Sequence, residues 1–207
     1  FLLRELHHRV KNNLQVIESL VSLQKRTAVH EETRAALSSL AGRIRAIAFI
    51  HGQLYQPEQN QTVDLKFYLS EICDKLSEAL IPSGQDVLLE LRGDSCSVGQ
   101  EAAQDIGLLV NELVTNACKH AFPDGRAGRI EVTLERSGET LELVVRDNGV
   151  GLPPDLKSAL PAGSLGMAIV DSTVRKLNGQ AEFDGANGLL ARVIVKPFAS
   201  TALQSPL

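Results

Sequence analysis

The sequence has no tryptophan, one methionine, two tyrosines and three cysteines among its 207 residues, and only 4% of it is aromatic. Cys73, Cys96 and Cys118 are widely spaced and odd in number. They form neither a metal-ligand pattern nor a disulfide framework, so the simplest expectation is a reducing cytoplasm. No apolar run approaches the ~20 residues that span a bilayer. Arg4, Glu5 and two histidines interrupt the first leucines, which excludes a signal-peptide pattern. A net charge of −4 offers no global attraction to nucleic acid. The remainder is ordinary globular composition, 43% hydrophobic and 22% charged, with room for one large domain or two small ones. The chain opens at Phe1, without a methionine and already inside a helical pattern, which predicts a fragment of a longer protein.

Residues 1–56 read as two helices. Leu3, Leu6, Val10, Leu14, Ile17 and Val21 step by three and four along one face. The pattern lapses between Thr27 and Glu32, and Leu37, Leu40, Ile44, Ile47 and Leu54 resume it. Such a hairpin is too thin to bury its own apolar faces, so pairing into a dimeric four-helix bundle is expected. Residues 57–62 read as a linker, 63–198 as a second domain and 199–207 as a tail. Within 63–198, helices are expected at Val63–Leu80, Ala102–Ala121 and Ser164–Leu177, the last stopped by Asn178-Gly179. A strand is expected at Val87–Leu91. Hairpins are expected at Arg129–Glu135 with Thr140–Arg146, turning at Ser137-Gly138, and at Gln180–Asp184 with Leu189–Val195. The mixture predicts an α+β chain whose second domain is an α/β sandwich, helices on one face of a sheet of antiparallel strands.

Two segments carry candidate chemistry. In Glu5-Leu6-His7-His8-Arg9-Val10-Lys11-Asn12-Asn13, helical geometry puts His8 roughly 155° from the apolar stripe and His7 about 60° from it. His8 therefore faces solvent with Asn12, Gln15 and Ser19, within reach of a second domain, while His7 borders the bundle core. His30 and His51 read as ordinary helix residues. In Asn111-Glu112-Leu113-Val114-Thr115-Asn116-Ala117-Cys118-Lys119-His120, Glu112 and Asn116 share a helix face. A carboxylate and an amide oxygen so placed suit Mg²⁺, which takes a few protein oxygens, waters and phosphates. Lys119 follows where an ammonium reaches phosphate.

Asp147-Asn148-Gly149-Val150-Gly151 then follows a strand. Its glycines allow close backbone approach to a planar ligand, and its aspartate can accept from an adenine amino group. Pro153, Pro154 and Pro161 mark a covering loop. Gly163-Ser164-Leu165-Gly166 opens a helix whose N–H groups suit phosphate.

Together these segments resemble the ATP-binding fold shared by gyrase, the Hsp90 chaperones, MutL and histidine kinases. Asn111–His120 resembles the N box, Asp147–Gly151 the G1 box and Gly163–Gly166 the G2 box. The opening histidine motif is similar to the phosphoacceptor segment of the HWE-related histidine kinases, where the histidine directly before Arg, here His8, accepts the phosphoryl group. Strict members carry a histidine before the N-box glutamate and a tryptophan near G1. Asn111 stands at the first position and the chain has no tryptophan, so it resembles the sister subfamily.

The resemblance implies a sensor histidine kinase core that uses ATP and Mg²⁺ and acts as a homodimer. His8 would be the phosphoacceptor, and Asn116 would bind the metal with Glu112 as second ligand or proton acceptor. Lys119 and His120 would contact phosphate or ribose. Asp147 would hold the adenine, Gly149 and Gly151 would line its pocket, and Gly163, Ser164, Leu165 and Gly166 would meet the phosphates. The partner implied is the receiver domain of a response regulator. The alternatives are a histidine phosphotransfer scaffold, opposed by the intact nucleotide motifs, and an anti-sigma-type serine kinase, opposed by residues 1–56. A gyrase-like or chaperone-like ATPase is opposed by the short chain.

Overall fold

The computed structural model describes residues 2–53, 62–82, 84–152 and 165–197. The chain divides into two compact units, Phe1–Asn60 and Gln61–Leu207.

The first unit is a helical hairpin, α1 at Leu2–Thr27 and α2 at Glu31–Gln53. The break falls at residues 28–30, inside the lapse in the apolar pattern. Arg34 Nη2 donates to the Ala28 carbonyl at 3.2 Å and so ties the turn to α2. Glu31 and Glu32 occupy the first turn of α2, where the helix dipole favours negative charge. Arg45 pairs with Glu18 at 2.7 Å, and Lys25 Nζ donates to Ser38 Oγ at 3.0 Å, fastening the two helices. Ala41 and Ile44 are buried between them, whereas Leu40 of the expected stripe is exposed. Val16, Leu20 and Leu23 on α1 also remain exposed, at 59%, 57% and 56% of their surface.

The second unit is an α/β sandwich. Thr62–Asp64 (β1) pairs antiparallel with Ser97–Gly99 (β3) in a short ribbon beside a five-stranded sheet. The sheet is ordered β2-β4-β5-β7-β6, with β2 at Val87–Gly93, β4 at Gly128–Ser137, β5 at Thr140–Asp147, β6 at Gln180–Asp184 and β7 at Leu190–Val195. Three helices complete the unit: α3 at Leu65–Leu80, α4 at Gln100–His120 and α5 at Leu165–Lys176.

Three local expectations change. Residues 62–64 are extended, and α3 begins at Leu65, two residues later than expected, because Asp64 caps it, accepting from Phe67 N at 3.0 Å. A cap of this kind ends the preceding extended segment and satisfies an otherwise orphaned helix donor. Ser137 pairs with Thr140, so the hairpin turn is Gly138-Glu139. The sheet is also not wholly antiparallel, because β2 runs parallel to β4. The chain between them contains α4, the long crossover that a parallel pair requires.

Period-two alternation turns one face of the sheet into the core. Ile130, Val132 and Leu134, then Leu141, Leu143 and Val145, then Ala191, Val193 and Val195 are buried. The core also holds Leu65, Leu69, Ile72 and Leu76 of α3, Ile106, Leu109, Val110 and Leu113 of α4, and Val170 and Val174 of α5. The stop of α5 is as the sequence predicts: Asn178 takes a left-handed φ of 50°, and Gly179 N donates to Val174 O at 2.9 Å.

Candidate nucleotide-binding site

Asp147 is the last inward position of β5, in phase with Leu141, Leu143 and Val145. The alternation that builds the core therefore carries a carboxylate into it, and Asp147 is 3% exposed. Its Oδ1 accepts from Gly149 N at 2.9 Å and from Leu189 N at 3.2 Å. Its own N–H donates to the Leu189 carbonyl at 2.9 Å. Oδ2 takes no part in those bonds, which leaves one oriented acceptor. Burial pushes the carboxyl pKa above its usual 3.8, opposed by the two backbone N–H donors.

The loop after Asp147 is held tightly. Asn148 N donates to Arg129 O at 3.2 Å, and Arg129 N returns a bond to Asn148 Oδ1 at 2.7 Å. Val150 N donates to Ala121 O at 3.0 Å, and Leu152 N to Gly185 O at 3.3 Å. The glycines of this loop have an intramolecular reason as well as the expected one. A Cβ at Gly149 would sit 2.3 Å from the Ala121 carbonyl oxygen, and one at Gly151 would sit 2.4 Å from that of Gly185. Gly151 also has φ +70°, a conformation side chains resist.

The turn between β6 and β7 was not singled out from sequence. Gly185, Gly188 and Leu189 clamp Asp147 and its loop. At Gly188, with φ +80°, a Cβ would lie 2.0 Å from the Asp147 carbonyl oxygen. The available signal was the pair of glycines in Asp184-Gly185-Ala186-Asn187-Gly188, which reads locally as a hairpin turn and nothing more.

On α4, Glu112 is fully buried and Asn111 is 2% exposed. Asn111 Nδ2 donates to Glu112 Oε1 at 3.3 Å. Asn116 is half-buried, and its Nδ2 donates to the Met167 sulfur of α5 at 3.6 Å, leaving Oδ1 as the accepting end of the amide. The helix of the N-box motif and the helix opened by the G2-box motif are thus in direct contact. Lys119 and His120 are exposed in the last turn of α4. Cys118 beside them is an unsuitable nucleophile, because burial pushes its thiol up to about 11.

Among the described residues no group of three or more His, Cys, Asp or Glu could hold a metal. A metal at Asn116 and Glu112 would have an amide oxygen, a carboxylate and the phosphates of a nucleotide. That all-oxygen donor set fits a hard cation such as Mg²⁺.

Gly163, Ser164 and the three-proline loop lie outside the described residues. Leu165 is the first residue of α5, and Gly166 is buried in its first turn. His8 lies within α1, its side chain outside the described residues. Asn12, Gln15 and Ser19, expected on the same side, are exposed.

Residues 5–80 match a family model described as histidine kinase, and residues 77–190 match one described as histidine kinase-like ATPase domain. The sensor histidine kinase PdtaS of Mycobacterium tuberculosis is 35% identical over 195 residues, covering 90% of this chain and 36% of that protein. The blue-light-activated histidine kinase 2 of Erythrobacter litoralis is 29% identical over 197 residues, covering 92% of this chain and 56% of that protein. The chain therefore spans about a third to just over half of these relatives. The solved histidine kinase domain of the Erythrobacter litoralis EL346 blue-light-activated kinase superposes with a TM-score of 0.69 at 30% identity, over 94% of this chain and 93% of that one. No helix among the described residues is long and apolar enough to cross a membrane. With an ATPase-domain match over more than half its length and a phosphoacceptor-type helical hairpin before it, this chain belongs to the histidine kinase family and carries its ATP-binding fold.

Proposed function

We propose that this chain is the kinase core of a sensor histidine kinase, with residues 1–56 as the dimerisation and phosphoacceptor hairpin and 63–198 as the ATP-binding domain. The observation that carries the reading is Asp147, a buried carboxylate whose Oδ1 is fixed by two backbone N–H groups. That arrangement turns the remaining oxygen into a hydrogen-bond acceptor suited to the amino group of adenine, which guanine lacks at that position.

The reaction moves the γ-phosphoryl group of ATP to a ring nitrogen of His8. The bond from the γ-phosphorus to the bridging oxygen breaks, a P–N bond forms, ADP leaves, and the imidazole gives up a proton. Neutral imidazole is the nucleophile, and its ordinary pKa of about 6.5 keeps most of it neutral at pH 7. Phosphoryl transfer asks the protein mainly for positioning and charge neutralisation. Asp147 orients the base, Lys119 and His120 reach the phosphates or ribose, and the first turn of α5, from Leu165 and Gly166 with Gly163 and Ser164 before it, offers backbone N–H groups. Asn116 and Glu112 would hold Mg²⁺, which supplies charge neutralisation on the phosphates when bound.

The phosphohistidine then passes its group to an aspartate on the receiver domain of a response regulator. The exposed Val16, Leu20 and Leu23 support a homodimer, because a second hairpin would cover them. The test is incubation with γ-labelled ATP. Label bound to protein that is lost in acid and kept in base is expected. Acid-stable label would point instead to a serine kinase, and no label to a phosphotransfer scaffold.

A further inference from the structure

The turn of the hairpin holds a feature that the kinase reaction does not use. An open cavity of about 440 Å³ is lined by Ser22, Lys25 and Arg26 of α1 and Arg34 of α2. Three cations thus meet in one concavity. Glu31 pairs with Arg34 at 2.8 Å, and Glu18, which accepts from Ser22 Oγ at 3.1 Å, is already paired with Arg45. Three cations less one carboxylate leave a surplus of two positive charges at the cavity.

The helix dipole explains part of this, since Lys25 and Arg26 occupy the last turn of α1, where cations are favoured. It does not explain the convergence. Lys25 reaches across to Ser38 of α2, Arg34 comes from the other helix, and the Arg26 side chain makes no hydrogen bond or ion pair among the described residues. Like charges held together cost free energy that a bound anion offsets. Arginine is the side chain suited to forked recognition of phosphate, and a hydroxyl supplies a further donor.

The cavity faces largely away from the apolar strip of α1. At 100° per residue, Lys25 and Ser22 lie roughly 170° and 130° from the mean direction of Val16, Leu20 and Leu23, and Arg26 lies about 90° from it, at the near edge. Position 26 is 18 residues, or five full turns, from position 8, about 27 Å along the same line of the same helix. A ligand here would bridge α1 to α2 on the helix that carries the phosphoacceptor position.

We propose that this cavity binds a small phosphate-bearing ligand, as free phosphate or as a phosphomonoester, whose charge of about −1.5 to −2 at neutral pH matches the surplus. The test is equilibrium dialysis of the whole chain against radiolabelled inorganic phosphate and, separately, labelled glycerol phosphate. One saturable equivalent per chain is expected for at least one of them, and the tighter of the two identifies the source. A Lys25→Gln, Arg26→Gln variant should weaken that binding about tenfold or more, while Arg26→Lys retains most of it. Circular dichroism of each variant should show unchanged helicity. Lys119→Gln, in the nucleotide site, should leave the binding unchanged. Absence of saturable binding by both probes overturns the proposal, as does binding that Lys119→Gln removes and the cavity variant does not.

Discussion

The two units solve the problem of apolar surface in opposite ways. In the ATP-binding unit, every inward position from Ile130 to Leu134 and from Leu141 to Val145 is buried within the unit itself. In the hairpin, Ala41 and Ile44 are the buried apolar residues among those described, while Val16, Ile17, Leu20 and Leu23 stand open. A sheet covered by helices closes its own core, whereas two helices bury at most one stripe each. One unit is built to be complete, and the other to be completed by a second surface. The same contrast extends to function: a nucleotide site needs fixed internal geometry, and a phosphoacceptor needs access.

The largest expected effect separates the units by chemistry. His8→Gln should reduce self-phosphorylation to background while ATP affinity, read by calorimetric titration, is unchanged. His7→Gln should retain measurable labelling. Loss of labelling in His7→Gln alone would place the acceptor on the wrong histidine.

The second test reaches inside the self-contained unit. In Asp147→Asn the two backbone donors at Oδ1 should claim the amide oxygen, because an NH₂ group cannot accept them. The NH₂ then takes the place of Oδ2 and faces the adenine amino group as a second donor. The loop is kept and the recognition reversed. Loss of a hydrogen bond to a charged acceptor is worth about 1.5–3 kcal/mol, or about tenfold to a hundredfold in affinity. Titration with ATP and GTP reads it, and ATP binding equal to the parent's would remove Asp147 from base recognition.

The third test compares the units by association. Removal of residues 1–56 should leave a folded monomer that binds ATP, whereas the intact chain should scatter light as a dimer at micromolar concentration. A monomeric intact chain would mean that the open strip of α1 is covered by something other than a second copy.

The smallest effect is on pH dependence. Burial raises the Asp147 carboxyl above 3.8 in the folded state, so the folded chain binds this proton more readily than the unfolded chain. For this group alone, stability without nucleotide falls as pH rises from 3.8 through the folded-state pKa, because the ionised form is the one that burial penalises. ATP affinity should move the other way, weakening as pH falls through the same window, because the protonated carboxyl loses an acceptor. In parallel titrations and thermal melts, the parent should show both slopes in excess of Asp147→Asn, whose remaining pH dependence comes from the other titratable groups.

Much of this architecture is legible in the chain because it depends on near neighbours. The three-and-four spacing of α1, the break near residue 28, the alternation of β5 and the stop at Asn178 follow from contacts a few residues apart. The motifs around Asn116 and Asp147 are readable for the same reason, since their side chains belong to single elements. Asp64 shows the limit even at short range: a cap three residues from its donor shortened a helix that the apolar pattern extended.

The sequence by itself determined the main helices and the strands of the two hairpins, that residues 1–56 lack a core of their own, and that Asp147 shares the inward parity of Leu141, Leu143 and Val145. Only the tertiary structure decided how that carboxylate is held. Leu189, 42 residues away, supplies one of its two donors, and Gly188 gives the room for the approach. Tertiary packing likewise set β2 parallel to β4, buried Glu112 completely and brought Met167 to Asn116. These contacts join segments whose spacing along the chain carries no periodic signal. They form when burial of the shared core brings distant strands and helices together, and each segment's own pattern is compatible with many such arrangements.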